Sequence, residues 1–110
     1  MTHGAGLAVV TPAWMKHVYK QNLQRFVQFA VRVMDVDIAF EHQEEIALEG
    51  IRRLENFFKS IGMPTTLHDV GITDDRYEEM ALRALDGGAT TGFFAKLDKE
   101  DIIAIFELAK

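Results

Sequence analysis

The chain has 110 residues, no cysteine and a formal net charge of −5, with 12 Lys and Arg set among 17 Asp and Glu. That length supports one packed core and not two, and the missing thiols exclude a disulfide framework, a thiolate metal site and a cysteine nucleophile. Basic residues are scattered instead of clustered, which argues against nucleic acid as a partner; no apolar run approaches the roughly 20 residues that cross a bilayer, and no secretory leader is legible at the N-terminus, so no membrane association and a cytoplasmic location are expected.

The opening stretch, HGAGLAVVTPAWM, is apolar where a domain usually frays into water. Residues 7–10 suit either a short buried strand or a buried helix, and Thr11 followed by Pro12 is good chemistry for a helix start. Without a second convincing strand to pair with, the expectation is a helix from about Gly4 that continues through Trp14, Met15, Val18 and Tyr19, kinked at Pro12. Next, Leu23, Phe26, Val27, Ala30 and Met34 recur at helical spacing and make one stripe over about 21–34.

The clearest pattern runs over about 41–61, where Ile46, Gly50, Ile51, Leu54, Phe57, Phe58 and Ile61 form an apolar face. Gly62 then offers a left-handed residue and Pro64 forbids continuation, so SIGMP is a helix stop. Thr73 is placed to cap a fourth helix, with Asp74 and Asp75 at its positive end and Tyr77, Met80, Ala81, Ala84 and Leu85 facing inward, and Gly87 and Gly88 end it. LDGGATTGFFAK reads as the one flexible connection, from which Phe93 and Phe94 re-enter the core. Asp98 can cap a last helix with Asp101 in its first turn and Ile102, Ile105, Phe106 and Ala109 as its buried stripe. The expected fold is therefore all-α, a bundle of about five helices forming a single domain over 1–110.

Among the histidines, His17 reads as a surface or capping residue at a helix end, where a cation is favourable. Its neighbour Lys16 meets the needs of a phosphotransfer histidine only loosely. His42, beside Glu41, Glu44 and Glu45, reads as ordinary helix-surface pairing before it reads as a metal cluster. His68 and Asp69 fall in a loop whose turn chemistry accounts for both.

His3 stands apart because HGAGLAVVTPAWM resembles the stretch around the last metal-binding histidine of the iron-containing alcohol dehydrogenase family, its butanol dehydrogenase branch in particular. That family's His-Gly-x-Gly element is matched by His3, Gly4 and Gly6. Downstream, LENFFKSIGMPTTLHDVGI is similar to the family's helix followed by a Gly-x-Pro-x-x-Leu turn, and KLDKEDIIAIFELA to its C-terminal helix. The resemblance implies that this chain corresponds to the distal part of the helical domain of a longer enzyme, with a nucleotide-binding domain absent. It implies hydride transfer between a nicotinamide cofactor, NAD(P), and a small alcohol or aldehyde, with a divalent metal, iron or zinc, as Lewis acid. His3 would be one metal ligand; the family's other ligands, an aspartate and two histidines, lie upstream of this element. The chain alone is expected to be inactive, to bind neither cofactor, and to self-associate through apolar surface including residues 7–10. The competing expectation is a stand-alone helical interaction module, which composition alone supports equally well.

Overall fold

The computed structural model describes residues 3–37, 42–92 and 94–110. Among these described residues five α-helices follow in order: α1 (His3–Val18), α2 (Leu23–Arg32), α3 (Gln43–Ser60), α4 (Tyr77–Leu85) and α5 (Lys99–Leu108). A 3₁₀ turn at Tyr19–Asn22 joins α1 to α2, and two more, His68–Val70 and Asp74–Arg76, lie between α3 and α4. The protein is all-α. Among the described residues the one β feature is an isolated antiparallel bridge between Thr91 and Leu97.

α1 forms as a single helix with Pro12 inside it. The proline lacks the N–H that would reach the Ala8 carbonyl, and burial of Ala8, Val9, Pro12, Ala13, Met15 and Val18 holds the helix together across that gap. α1 packs on α3 and α5, α2 lies along α3, and α4 lies against α5. Val9, Val18, Ile46, Ile51 and Leu67 are the largest fully enclosed side chains.

The α2–α3 pair approaches closely because Gly50 faces Ala30: a Cβ on Gly50 would fall 2.5 Å from the Ala30 Cβ and 2.8 Å from its Cα. Arg53 secures the end of α2, donating from Nη1 to the carbonyls of Met34 and Asp35, each at 2.8 Å. The stop after α3 is built as the local chemistry requires. Gly62 is left-handed at φ 80°, its N–H reaches the Lys59 carbonyl at 3.0 Å and the Met63 N–H reaches Phe58 at 2.9 Å, the two bonds of a Schellman turn. The loop beyond it inserts Leu67, 0% exposed, and the Leu67 N–H donates to the Ala109 carbonyl at 2.7 Å.

Some expectations are corrected. Phe57 and Ile61 are 51% and 57% exposed, since α3, at 18 residues against 10 for α2, outruns its partner by about two turns. Thr73 makes no side-chain cap; its hydroxyl turns to the Asp75 carboxylate instead. Ala84 is exposed, and of residues 7–10 only Leu7 is largely uncovered, Ala8 and Val9 being buried. The expected helix start at Glu41 and the placement of Phe93 lie outside the described residues.

Candidate metal-ligand helix and apolar pocket

His3 is the first residue of α1 and is exposed. Burial of Ala8 and Val9 fixes the direction of the turns that carry it. A neutral imidazole is a donor that both iron and zinc accept. Among the described residues, however, no group of three His, Cys, Asp or Glu is arranged to hold a metal ion. The described residues thus offer the His3 imidazole as a donor of suitable chemistry, without a closed coordination set around it.

The remaining histidines are placed differently. His17 sits in the last turn of α1 and its Nε2 lies 2.9 Å from Asp101 Oδ1, a half-buried hydrogen-bonded contact joining α1 to α5. Lys16 pairs with Glu55 of α3 at 2.7 Å. His42 is exposed at the N-cap of α3 and caps nothing with its side chain. His68 is exposed in its 3₁₀ turn. There Asp69 accepts the Thr65 N–H at 3.3 Å, and its own N–H donates to Thr66 Oγ1 at 3.1 Å. The Thr65 N–H first, and the Thr66 hydroxyl next, hold the Asp69 carboxyl below the ordinary aspartate value, so turn chemistry does account for this segment.

Further along α1, Trp14 is half-buried in a three-ring cluster, with centroid distances of 5.6 Å to Phe94 and 6.3 Å to Phe26, and Phe26 to Phe94 at 5.7 Å. Beside it lies a pocket of about 270 Å³ lined by Val10, Thr11 and Trp14 of α1, Ala84 of α4, Thr91 and Leu97 of the bridged loop, and Ile102, Ile105 and Phe106 of α5. The loop wall is fixed by two backbone bonds between Thr91 and Leu97, at 2.9 and 2.7 Å. Gly92 makes this turn possible: it sits at φ 100°, and a Cβ there would fall 2.5 Å from the Ala95 carbonyl oxygen. The sequence places Trp14 in the first helix and gives no sign of the pocket, whose walls come from residues 10 to 106 and leave no local signature. The His17–Asp101 pair, separated by 84 positions, was equally invisible.

The family described as Fe-containing alcohol dehydrogenase, C-terminal, matches residues 1–110, and the chain belongs to it. It is similar to the probable NADH-dependent butanol dehydrogenase 1 of Bacillus subtilis, 44% identical over 105 residues covering 96% of this chain and 27% of that protein. NADH-dependent butanol dehydrogenase A of Clostridium acetobutylicum is 37% identical, with 97% of this chain and 28% of that protein covered. Among solved structures, NADH-dependent butanol dehydrogenase A of Thermotoga maritima superposes with a TM-score of 0.85 at 34% identity, over 99% of this chain and 29% of that one. A 1,3-propanediol oxidoreductase superposes with a TM-score of 0.87 at 27% identity, over 100% of this chain and 28% of that one. The chain therefore spans little more than a quarter of the length of the relatives it matches.

Proposed function

We propose that this chain is the distal part of the helical domain of an NAD(P)-dependent, metal-assisted alcohol dehydrogenase acting on small alcohols or aldehydes, with His3 as one metal ligand. The observation that carries the reading is the match of all 110 residues to the family, together with 44% identity to a butanol dehydrogenase. When bound, iron or zinc supplies Lewis acidity to the substrate oxygen while the nicotinamide supplies or accepts hydride. This chain's own contribution is to carry the His3 imidazole on a helix whose flank is buried in the domain core.

A catalytic metal needs about three protein ligands, and the described residues hold no such group. The 110 residues alone should therefore show no turnover: purified chain given ferrous or zinc ion, NADH and butanal leaves NADH absorbance unchanged. Steady, metal-dependent oxidation of NADH would overturn this. The ligand assignment is tested in a chimera in which the chain replaces the matching segment of the Bacillus subtilis relative. His3→Ala should abolish metal retention and activity there; a folded chimera indifferent to that substitution would refute the role of His3.

The absence of cysteine suits a reducing cytoplasm. The exposed side chains of Leu7, Val33, Phe57, Ile61, Leu82 and Leu108 favour self-association of the chain. Light scattering should show mass rising with concentration, and an apolar dye should brighten on binding; a dye-silent monomer at high concentration would contradict it.

A further inference from the structure

We propose that copies of this chain associate head to tail, the outer face of α2 on one copy receiving the outer face of α4 on the next through opposite charge. All 17 Asp and Glu of the sequence lie at or beyond Asp35. Lys16, Lys20, Arg25 and Arg32 therefore stand in a stretch without an acid, and the two arginines belong to α2. Packing carries this asymmetry to the two edges of the molecule: α2 lies on α3, α3 on α1, α1 on α5 and α5 on α4. The helix richest in unopposed cations and the helix with carboxylates along its outer side are thus the first and last of the series.

The two edges match in spacing as well as in sign. A groove along α2 is bounded by Arg25 and Arg32, with Val27 and Val31 in its floor and Gln28 between them. Both arginines are exposed, and Arg25 donates to the neutral Gln28 at 3.2 Å. The outer side of α4 is lined by Asp75, Glu78, Glu79, Leu82, Arg83 and Asp86. Glu78 is engaged by Lys99 of α5 at 2.6 Å. Glu79 meets Arg83 of its own helix at 3.0 Å, an exposed pair that solvent keeps weak and open to exchange. Glu79 and Asp86 stand at i and i+7, as Arg25 and Arg32 do, so each like-charged pair is separated by about 10 Å of helix. Leu82, 53% exposed, falls between the two carboxylates as the valines fall between the two arginines. Charge around a small apolar centre is the ordinary make-up of a protein interface.

Two short helix faces make a contact at the small end of the range, under about 1,200 Å², so association is weak and charge sets its orientation. Because the faces lie at opposite ends of the helix series, one neighbour does not engage both, and copies add without closing into a pair. This contact depends neither on the dehydrogenase reading nor on the apolar self-association above, which sodium chloride does not weaken.

The test is sedimentation velocity on the purified chain over a concentration series in 20 mM and 500 mM sodium chloride. At low salt the average mass should rise past that of a dimer, and at high salt it should return toward the monomer, since the screening length shrinks from tens of ångströms to a few. Arg25→Glu with Arg32→Glu, and separately Glu79→Lys with Asp86→Lys, should each weaken association at least tenfold, like charges then facing each other. Circular dichroism checks the fold of both; Glu79→Gln with Asp86→Asn, which keeps a residue tolerant of the left-handed position at 86, replaces the lysine pair should that variant melt. Mixing the two charge-reversed variants should restore assembly, because each then offers the other a complementary face. Association that is indifferent to salt, mass that saturates at a dimer, or a folded variant that assembles as the native chain does would each overturn the proposal. Loss of assembly in both variants with no recovery on mixing would overturn it too, leaving the arginine face to an acidic partner other than this chain.

Discussion

Asp101 shows how much one side chain can connect. Its Oδ2 accepts the Asp98 N–H at 3.0 Å, its own N–H donates to Asp98 Oδ1 at 2.9 Å, and its Oδ1 faces His17 at 2.9 Å. The first two bonds are a capping box at the start of α5; the third ties that helix start to the end of α1. The Asp98 N–H is the main reason that the Asp101 carboxyl is held below its ordinary value, with His17 next. A depressed carboxylate contributes stability that is complete above the unfolded value, near 4, and is lost as pH falls through the folded one. Urea midpoints of the native chain should therefore fall on acidification below about pH 4, and Asp101→Asn should flatten that fall; identical acid profiles would exclude the role. Removing the cap itself, Asp98→Ala, should cost about 1 kcal/mol in the same measurement.

At the scale of elements, the α2–α3 contact depends on the hydrogen that Gly50 presents in place of a methyl group. Alanine is the better helix former by about 1 kcal/mol, but the atoms in its way include the Ala30 backbone at 2.8 Å, which cannot rotate aside. Overpacking of this kind costs about 1–3 kcal/mol, so Gly50→Ala should be net destabilising by denaturant melts. Gly4→Ala, with nothing within 4 Å of the added methyl, should be neutral or slightly stabilising. A stabilised Gly50→Ala would mean that the helices do not approach as described.

The same pair shows what the sequence could reveal. The stripe carrying Ala30 and the face carrying Gly50 were both readable, as were the stop at Gly62 and the cap at Asp98, because each is decided within a few neighbouring residues. That Gly50 meets Ala30 is decided by tertiary packing. Phe57, Ile61 and Ala84 were misread for that reason: periodicity says which residues share a face, and only the partner's length says how much of that face is covered. His3 was singled out through the ordered landmarks of its resemblance alone, and its role rests on the chimera test, whereas the pocket, assembled from four segments, had no signal to read.

Taken whole, the molecule is a slab of 43 × 32 × 19 Å with a Cα radius of gyration of 14.5 Å, against about 13 Å for a compact domain of this size. A slab this thin encloses less of its surface than a sphere would, so its stability should be sensitive to anything that covers it. With apolar side chains exposed, the thermal midpoint should rise with protein concentration in calorimetry; a concentration-independent midpoint would show that no such cover forms.

The bond from the Leu67 N–H to the Ala109 carbonyl has a consequence for handling the protein at the bench. Lys110 is exposed and Ala109 is 3% exposed, so an exopeptidase working inward from the carboxyl end should remove the lysine readily and then stall. To go further it must lift the α5 terminus away from the loop whose leucine it holds in place, and mass spectra taken during digestion should show that pause as a single persistent species one residue shorter.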